Sequence, residues 1–84
     1  MWVVYFVRCN DNSLYCGITN NLEKRIKTHN EGKGAKYTKN RLPVKLVYSK
    51  EVENRSIASK LECQLKKLTK KDKEILVGIS HWIR

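Results

Sequence analysis

Five side chains of this sequence are of types that could do chemistry together. Tyr5 and Tyr15 come first, Arg25 and His29 follow four residues apart, and Glu62 lies further on. Such a set suits the hydrolysis of a phosphodiester. That bond resists attack because it is an anion, so a site needs cationic clamps for its oxygens and an activated nucleophile. An arginine supplies the clamp. One carboxylate, together with the substrate's own phosphate, can hold a hard oxygen-seeking ion such as Mg²⁺. A tyrosine, with a free pKa of about 10, becomes a useful base near neutrality only if positive charge lowers it. Each residue alone also has an ordinary reading. The tyrosines are common strand aromatics, the arginine a rim residue, the histidine a satisfied half-buried ring. Glu62 could simply pair with Lys66 one helical turn on.

The elements that must position them can be read from patterning. Trp2 to Cys9 is a run of β-branched and aromatic residues ended by Asn10-Asp11-Asn12-Ser13, which predicts a strand and a turn. Leu14 to Ile18 is its hairpin partner. If the loop is Asn10-Asp11-Asn12 with Asn12 left-handed, Val7 faces Tyr15 and Tyr5 faces Gly17. Both tyrosines then share one face, whereas an even-numbered loop would separate them. Asn20 is the expected N-cap of a helix, with Glu23 completing a capping box and Gly32 as the stop. Leu22 and Ile26 form its apolar stripe, and Arg25 and His29 form a row beside it.

Gly32 to Lys50 holds six basic residues and no acidic one. It opens with Gly32-Lys33-Gly34-Ala35-Lys36-Tyr37-Thr38, expected to be a flexible basic loop. After Pro43, Val44 to Tyr48 alternates as a third strand. A helix starting near Asn54 shows Ile57, Leu61, Leu65 and Leu68 on one face, with Ala58 beside them and Glu62 at the border. Thr69 to Asp72 reads as another capped helix start, and Gly78 to Arg84 carries no clear pattern. His81 and Trp82 are expected to be packing or disordered residues.

With 84 residues, the expectation is a single domain over 1–84 with one modest core. Eighteen Lys and Arg against 8 Asp and Glu give a formal charge of +10, which favours a polyanionic partner. No membrane role is expected: the apolar run Trp2 to Val7 is too short to span a bilayer, and no signal peptide precedes it. Three cysteines without a Cys-x-x-Cys pair argue against a disulfide framework or zinc site. A reducing, cytoplasmic location is expected, with each cysteine a small buried or half-buried hydrophobe.

Val3-Val4-Tyr5, Tyr15-Cys16-Gly17, Arg25 and His29, Tyr37 in the basic segment and Glu62 on a later helix together resemble the GIY-YIG nuclease superfamily. The segment from Gly32 to Thr38, followed by Pro43 to Tyr48, is similar to that of its small stand-alone bacterial members. The resemblance covers the whole chain. It implies an α/β (α+β) fold: a three-stranded antiparallel sheet flanked by helices, in the order β-β-α-β-α-α. It also implies a catalytic set of Tyr5 as general base, Tyr15 positioning water or phosphate, Arg25 stabilising the phosphoryl oxygens, His29 helping to activate or orient the tyrosine, and Glu62 ligating one divalent metal, Mg²⁺ or Mn²⁺. Gly17, Lys33, Lys36, Tyr37 and Lys39 are the candidate substrate contacts. The implied partner is nucleic acid, with DNA preferred, and a protein partner is expected to supply specificity. Two departures stand out. The first motif lacks its glycine, and Cys63 to Arg84 contains no asparagine where many of these nucleases carry one. The second reading is therefore a nucleic-acid-binding module with the same fold and little or no cleavage.

Overall fold

A computed structural model describes residues 1–83, with side chains described through Ile79. The strands are β1 (Trp2–Arg8), β2 (Leu14–Thr19) and β3 (Lys45–Val52). The helices are α1 (Leu22–Asn30), the short α2 (Lys36–Lys39), α3 (Arg55–Lys66) and α4 (Lys70–Ile83). The sheet order is β2-β1-β3 and every pairing is antiparallel. The implied architecture is therefore present, with one additional helical turn.

Because β1 is central, both its faces are covered, and Val4, Tyr5, Phe6 and Val7 are all fully buried. Val4 and Phe6 join Cys16, Ala58 and Val77 in a core under α3 and α4. Tyr5 and Val7 join Cys9 and Val44 in a second core on the opposite face, packed by Leu22 and Ile26 of α1. Between Phe6 and Val7 the β1–β3 register slips, so Phe6 faces Tyr48 and Val7 faces Leu46. Val47 is the extra residue, a bulge that increases the local twist. Tyr48 is structural, packing against Phe6 with ring centroids 5.7 Å apart.

Several local expectations change. Asn21, not Asn20, caps α1: its side chain accepts from the Lys24 amide, so Glu23 falls one place short of a capping box. Thr19 favours this later start by accepting from the Asn21 amide at 3.1 Å. The segment after Gly32 is not a loose loop, since Thr38 is buried and anchors α2. β3 runs on to Val52, sustained by its ladder with Trp2 to Arg8. On α3 the buried position is Ala58, and Ile57 is 41% exposed. Asn54 caps that helix and Thr69 accepts from the Asp72 amide, as their types predict.

Cys9 and Cys16 are buried, but Cys63 is exposed on the outer face of α3. The backbone of α4 continues helically to Ile83, while the side chains of His81 and Trp82 lie outside the described residues. No helix among the described residues is long and apolar enough to cross a membrane.

Candidate active site

The β1–β2 loop is the three residues Asn10 to Asn12, and Asn12 takes a φ of 70°. Its amide donates to the Cys9 carbonyl at 2.9 Å, and the Cys9 amide donates to Ser13 at 2.8 Å. This odd-length turn sets Val7 opposite Tyr15 and Tyr5 opposite Gly17. The two tyrosines therefore share a face, as the loop length requires. Tyr5 lies directly over Gly17. A Cβ at residue 17 would stand 2.6 Å from the phenol oxygen, so glycine is the residue this close approach demands.

Helix α1 brings Arg25 and His29 to that face from successive turns. His29 Nε2 lies 2.8 Å from the Tyr5 hydroxyl, and Arg25 Nε donates to the same oxygen at 3.3 Å. On its other side, His29 Nδ1 lies 2.8 Å from Thr38 Oγ1. Tyr5, His29 and Thr38 are all fully buried. The Tyr15 ring meets His29 edge-on at 5.5 Å between centroids.

Tyr37 stacks on Tyr15 at 5.8 Å, and the Arg41 guanidinium covers its ring at 4.2 Å. Arg41 in turn donates to Asp11 at 2.9 Å and to the Tyr37 carbonyl at 2.7 Å. Tyr37 is thus held between two neighbours and fixes α2 against the hairpin. Lys33, Lys36 and Lys39 are exposed on and beside α2.

The electrostatics depart from expectation. Burial pushes the Tyr5 hydroxyl above its ordinary value, outweighing the downward pull of Arg25. A phenolate there would lose its water, and one guanidinium does not replace it. The Tyr5 hydroxyl consequently does not open on a cleft. Burial, then the Arg25 charge, hold His29 below the ordinary histidine value. Arg25 is raised, chiefly by its hydrogen bond to Tyr5. Among the described residues it has no carboxylate partner.

Glu62 is not part of this cluster. It projects from α3, which packs on the opposite sheet face, and its side chain is 22% exposed. It pairs with Lys66 Nζ at 3.5 Å, the i,i+4 contact its spacing allows. Burial and then the Glu62 charge push the Cys16 thiol up to about 11. Among the described residues no three His, Cys, Asp or Glu groups gather to form a metal cage. A lone hard carboxylate nevertheless fits Mg²⁺ or Mn²⁺ when the ion is shared with a substrate phosphate. The Lys66 pair is no strong barrier, since i,i+4 helix pairs contribute only about 0.3–0.5 kcal/mol.

Patterning missed Thr38 and Gly34. A threonine in a basic segment carries no burial signal, and only its contact with His29 shows why it is inside. A Cβ at Gly34 would collide with the His29 ring and stand 2.9 Å from the His29 Cα.

The model of the GIY-YIG catalytic domain matches residues 1–75. A UPF0213 protein of Clostridium perfringens is 57% identical over 75 residues, covering 89% of this chain and 81% of the relative. The UPF0213 protein YazA of Bacillus subtilis is 52% identical over 73 residues, covering 87% and 74% respectively. The solution NMR structure of the UPF0213 protein BH0048 from Bacillus halodurans superposes with a TM-score of 0.61 at 40% identity, covering 94% of this chain and 85% of that one. The E. faecalis protein EF2693 gives 0.62 at 40% identity, covering 95% and 85%.

Proposed function

The chain belongs to the GIY-YIG catalytic-domain family, and from that premise we propose that it is a metal-dependent endonuclease hydrolysing nucleic-acid phosphodiesters, with DNA as its substrate. One observation carries the reading. Arg25 is a half-buried cation that has no carboxylate partner among the described residues, held by Tyr5 beside Tyr15, on a chain of formal charge +10. An oriented arginine of this kind is a phosphate clamp.

The roles follow from burial. Tyr5 is fully enclosed and its hydroxyl resists ionisation, so it serves as the holder of Arg25 rather than as the base. Tyr15 is only half-buried and is the tyrosine able to reach water and a phosphoryl oxygen. Glu62 holds the divalent ion, which when bound supplies charge neutralisation at the phosphate. Arg25 and Glu62 come from opposite faces of the sheet, and β2 is a free edge between them. A phosphodiester lying along that edge is the arrangement that lets both act on it.

The test is cleavage of a labelled panel of single-stranded, duplex, flap and branched DNA, plus RNA, in Mg²⁺, Mn²⁺ or EDTA. Cutting that needs metal and disappears in Arg25→Ala and Glu62→Ala, with affinity kept within a few fold for Glu62→Ala, is the expected result. Substituting Lys33, Lys36 or Lys39 is expected to weaken binding and flatten its salt dependence, by about 0.9 in log–log slope per duplex phosphate contact.

The second reading, a binding module of the same fold, draws on the enclosed Tyr5 and on the Lys66 contact that occupies Glu62. Metal-independent binding without cleavage by the wild type would establish it and end the nuclease proposal. In either reading a protein partner supplies specificity, because a single small module buries only about 600–1,000 Å² on DNA.

A further inference from the structure

The polar groups around His29 form a chain with a definite direction. Thr38 Oγ1 donates to the Ala35 carbonyl at 3.0 Å, which accepts from the Thr38 and Lys39 amides as well. With the hydroxyl proton directed to Ala35, the 2.8 Å contact between Thr38 Oγ1 and His29 Nδ1 is an Nδ1–H donating to the hydroxyl oxygen. The enclosed ring is neutral and carries only one N–H, so Nε2 is an acceptor. At 2.8 Å, Nε2 accepts the hydrogen bond that the Tyr5 hydroxyl donates. The phenol oxygen is thereby turned to receive Arg25 Nε–H at 3.3 Å. One contact points the other way, the Ala35 amide near Nδ1. At 3.5 Å it is at the limit of a hydrogen bond, and the 2.8 Å bond decides.

Among the described residues no further hydrogen bond reaches the ring. Gly34 presses on the imidazole through van der Waals contact alone, and Tyr15 meets it with a ring edge. Every buried side-chain polar atom among the described residues is satisfied, so reversing the histidine would leave two acceptors facing each other at Thr38 unless the hydroxyl abandoned Ala35.

We propose that Thr38 is a positioning residue that locks His29 in its Nδ1–H tautomer and, through Tyr5, sets the direction in which Arg25 presents its guanidinium. Its consequence for cleavage rests on the nuclease reading above; the tautomer lock itself does not. Gly32 to Thr38 accordingly does more than supply positive charge: its buried threonine orders a site whose reactive groups all lie on other elements.

The experiment uses the full chain with ¹⁵N-labelled histidine, recording ring nitrogen shifts and ring proton couplings for wild type, Thr38→Val and Thr38→Ser. Wild type is expected to show a protonated Nδ1 and a bare Nε2. Thr38→Val should lose that preference, and Thr38→Ser should restore it. A wild-type Nε2–H tautomer overturns the proposal even if Thr38→Val fails to fold, as does a folded Thr38→Val with an unchanged tautomer. In the cleavage assay, Thr38→Val should lower kcat by up to about 100-fold with KM little changed, and serine should rescue it. Unchanged kcat in a tautomer-shifted variant overturns the link to Arg25. A wild type that never cuts sinks the nuclease reading, leaving the spectra to judge the lock.

Discussion

At Tyr5 the hydroxyl and the ring perform separate tasks. The ring fills the core on its face of the sheet, while the hydroxyl satisfies His29 and carries Arg25. Both depend on Gly17, because the phenol lies where a side chain would otherwise stand. Gly17→Ala should therefore destabilise the fold by about 1–3 kcal/mol, as overpacking does. Tyr5→Phe removes the oxygen that meets the new methyl group at 2.6 Å, so alanine at 17 should cost less in that background. Urea unfolding of the four proteins measures the coupling, and strictly additive losses would show that the collision is relieved elsewhere.

Among the elements, the joints matter as much as the helices and strands. Asn30 at the end of α1 makes two hydrogen bonds to Val44, accepting from its amide at 2.7 Å and donating to its carbonyl at 3.2 Å. It thereby clips the helix carrying Arg25 and His29 to the residue that leads into β3. Asn30→Ala leaves both backbone groups of a buried residue without these partners, and a loss of about 1–3 kcal/mol is expected. Faster amide exchange at Val44 should accompany the lower unfolding midpoint. A second joint is Arg41, which links the hairpin tip at Asp11 to Tyr37 on α2. On the other side, Arg8 and Glu74 form a two-pronged pair at 2.8 and 2.6 Å that ties α4 to the end of β1.

For the whole molecule, the shifted groups define a pH window. His29 is depressed below its ordinary 6.5 in the folded state, so below that value the unfolded chain binds a proton that the folded one refuses. Stability then falls as pH drops through the folded value. Tyr5 is raised above its ordinary 10.0, so at alkaline pH the unfolded chain releases a proton that the folded one keeps. Stability falls again on that side. Melting temperatures measured across pH should decline at both ends, and Tyr5→Phe should flatten the alkaline limb relative to wild type. An unaltered limb would mean that Tyr5 ionises in the fold as freely as in the unfolded chain.

Much of this protein is legible in its residue order. Loop length and the tolerance of Asn12 for a positive φ fix the hairpin register, and register fixes which side chains share a face. Helical periodicity likewise sets Arg25 and His29 in one row. These are short-range consequences of backbone geometry. Only the tertiary structure decided how deep each group sits. It enclosed Tyr5 and reversed the expected direction of its pKa, because desolvation depends on what α1 and α2 lay over it. It placed Glu62 across the sheet, since α3 buries Ala58 against the opposite face. And it turned a basic segment into the support of His29 through Thr38, a contact between residues nine apart that no period encodes.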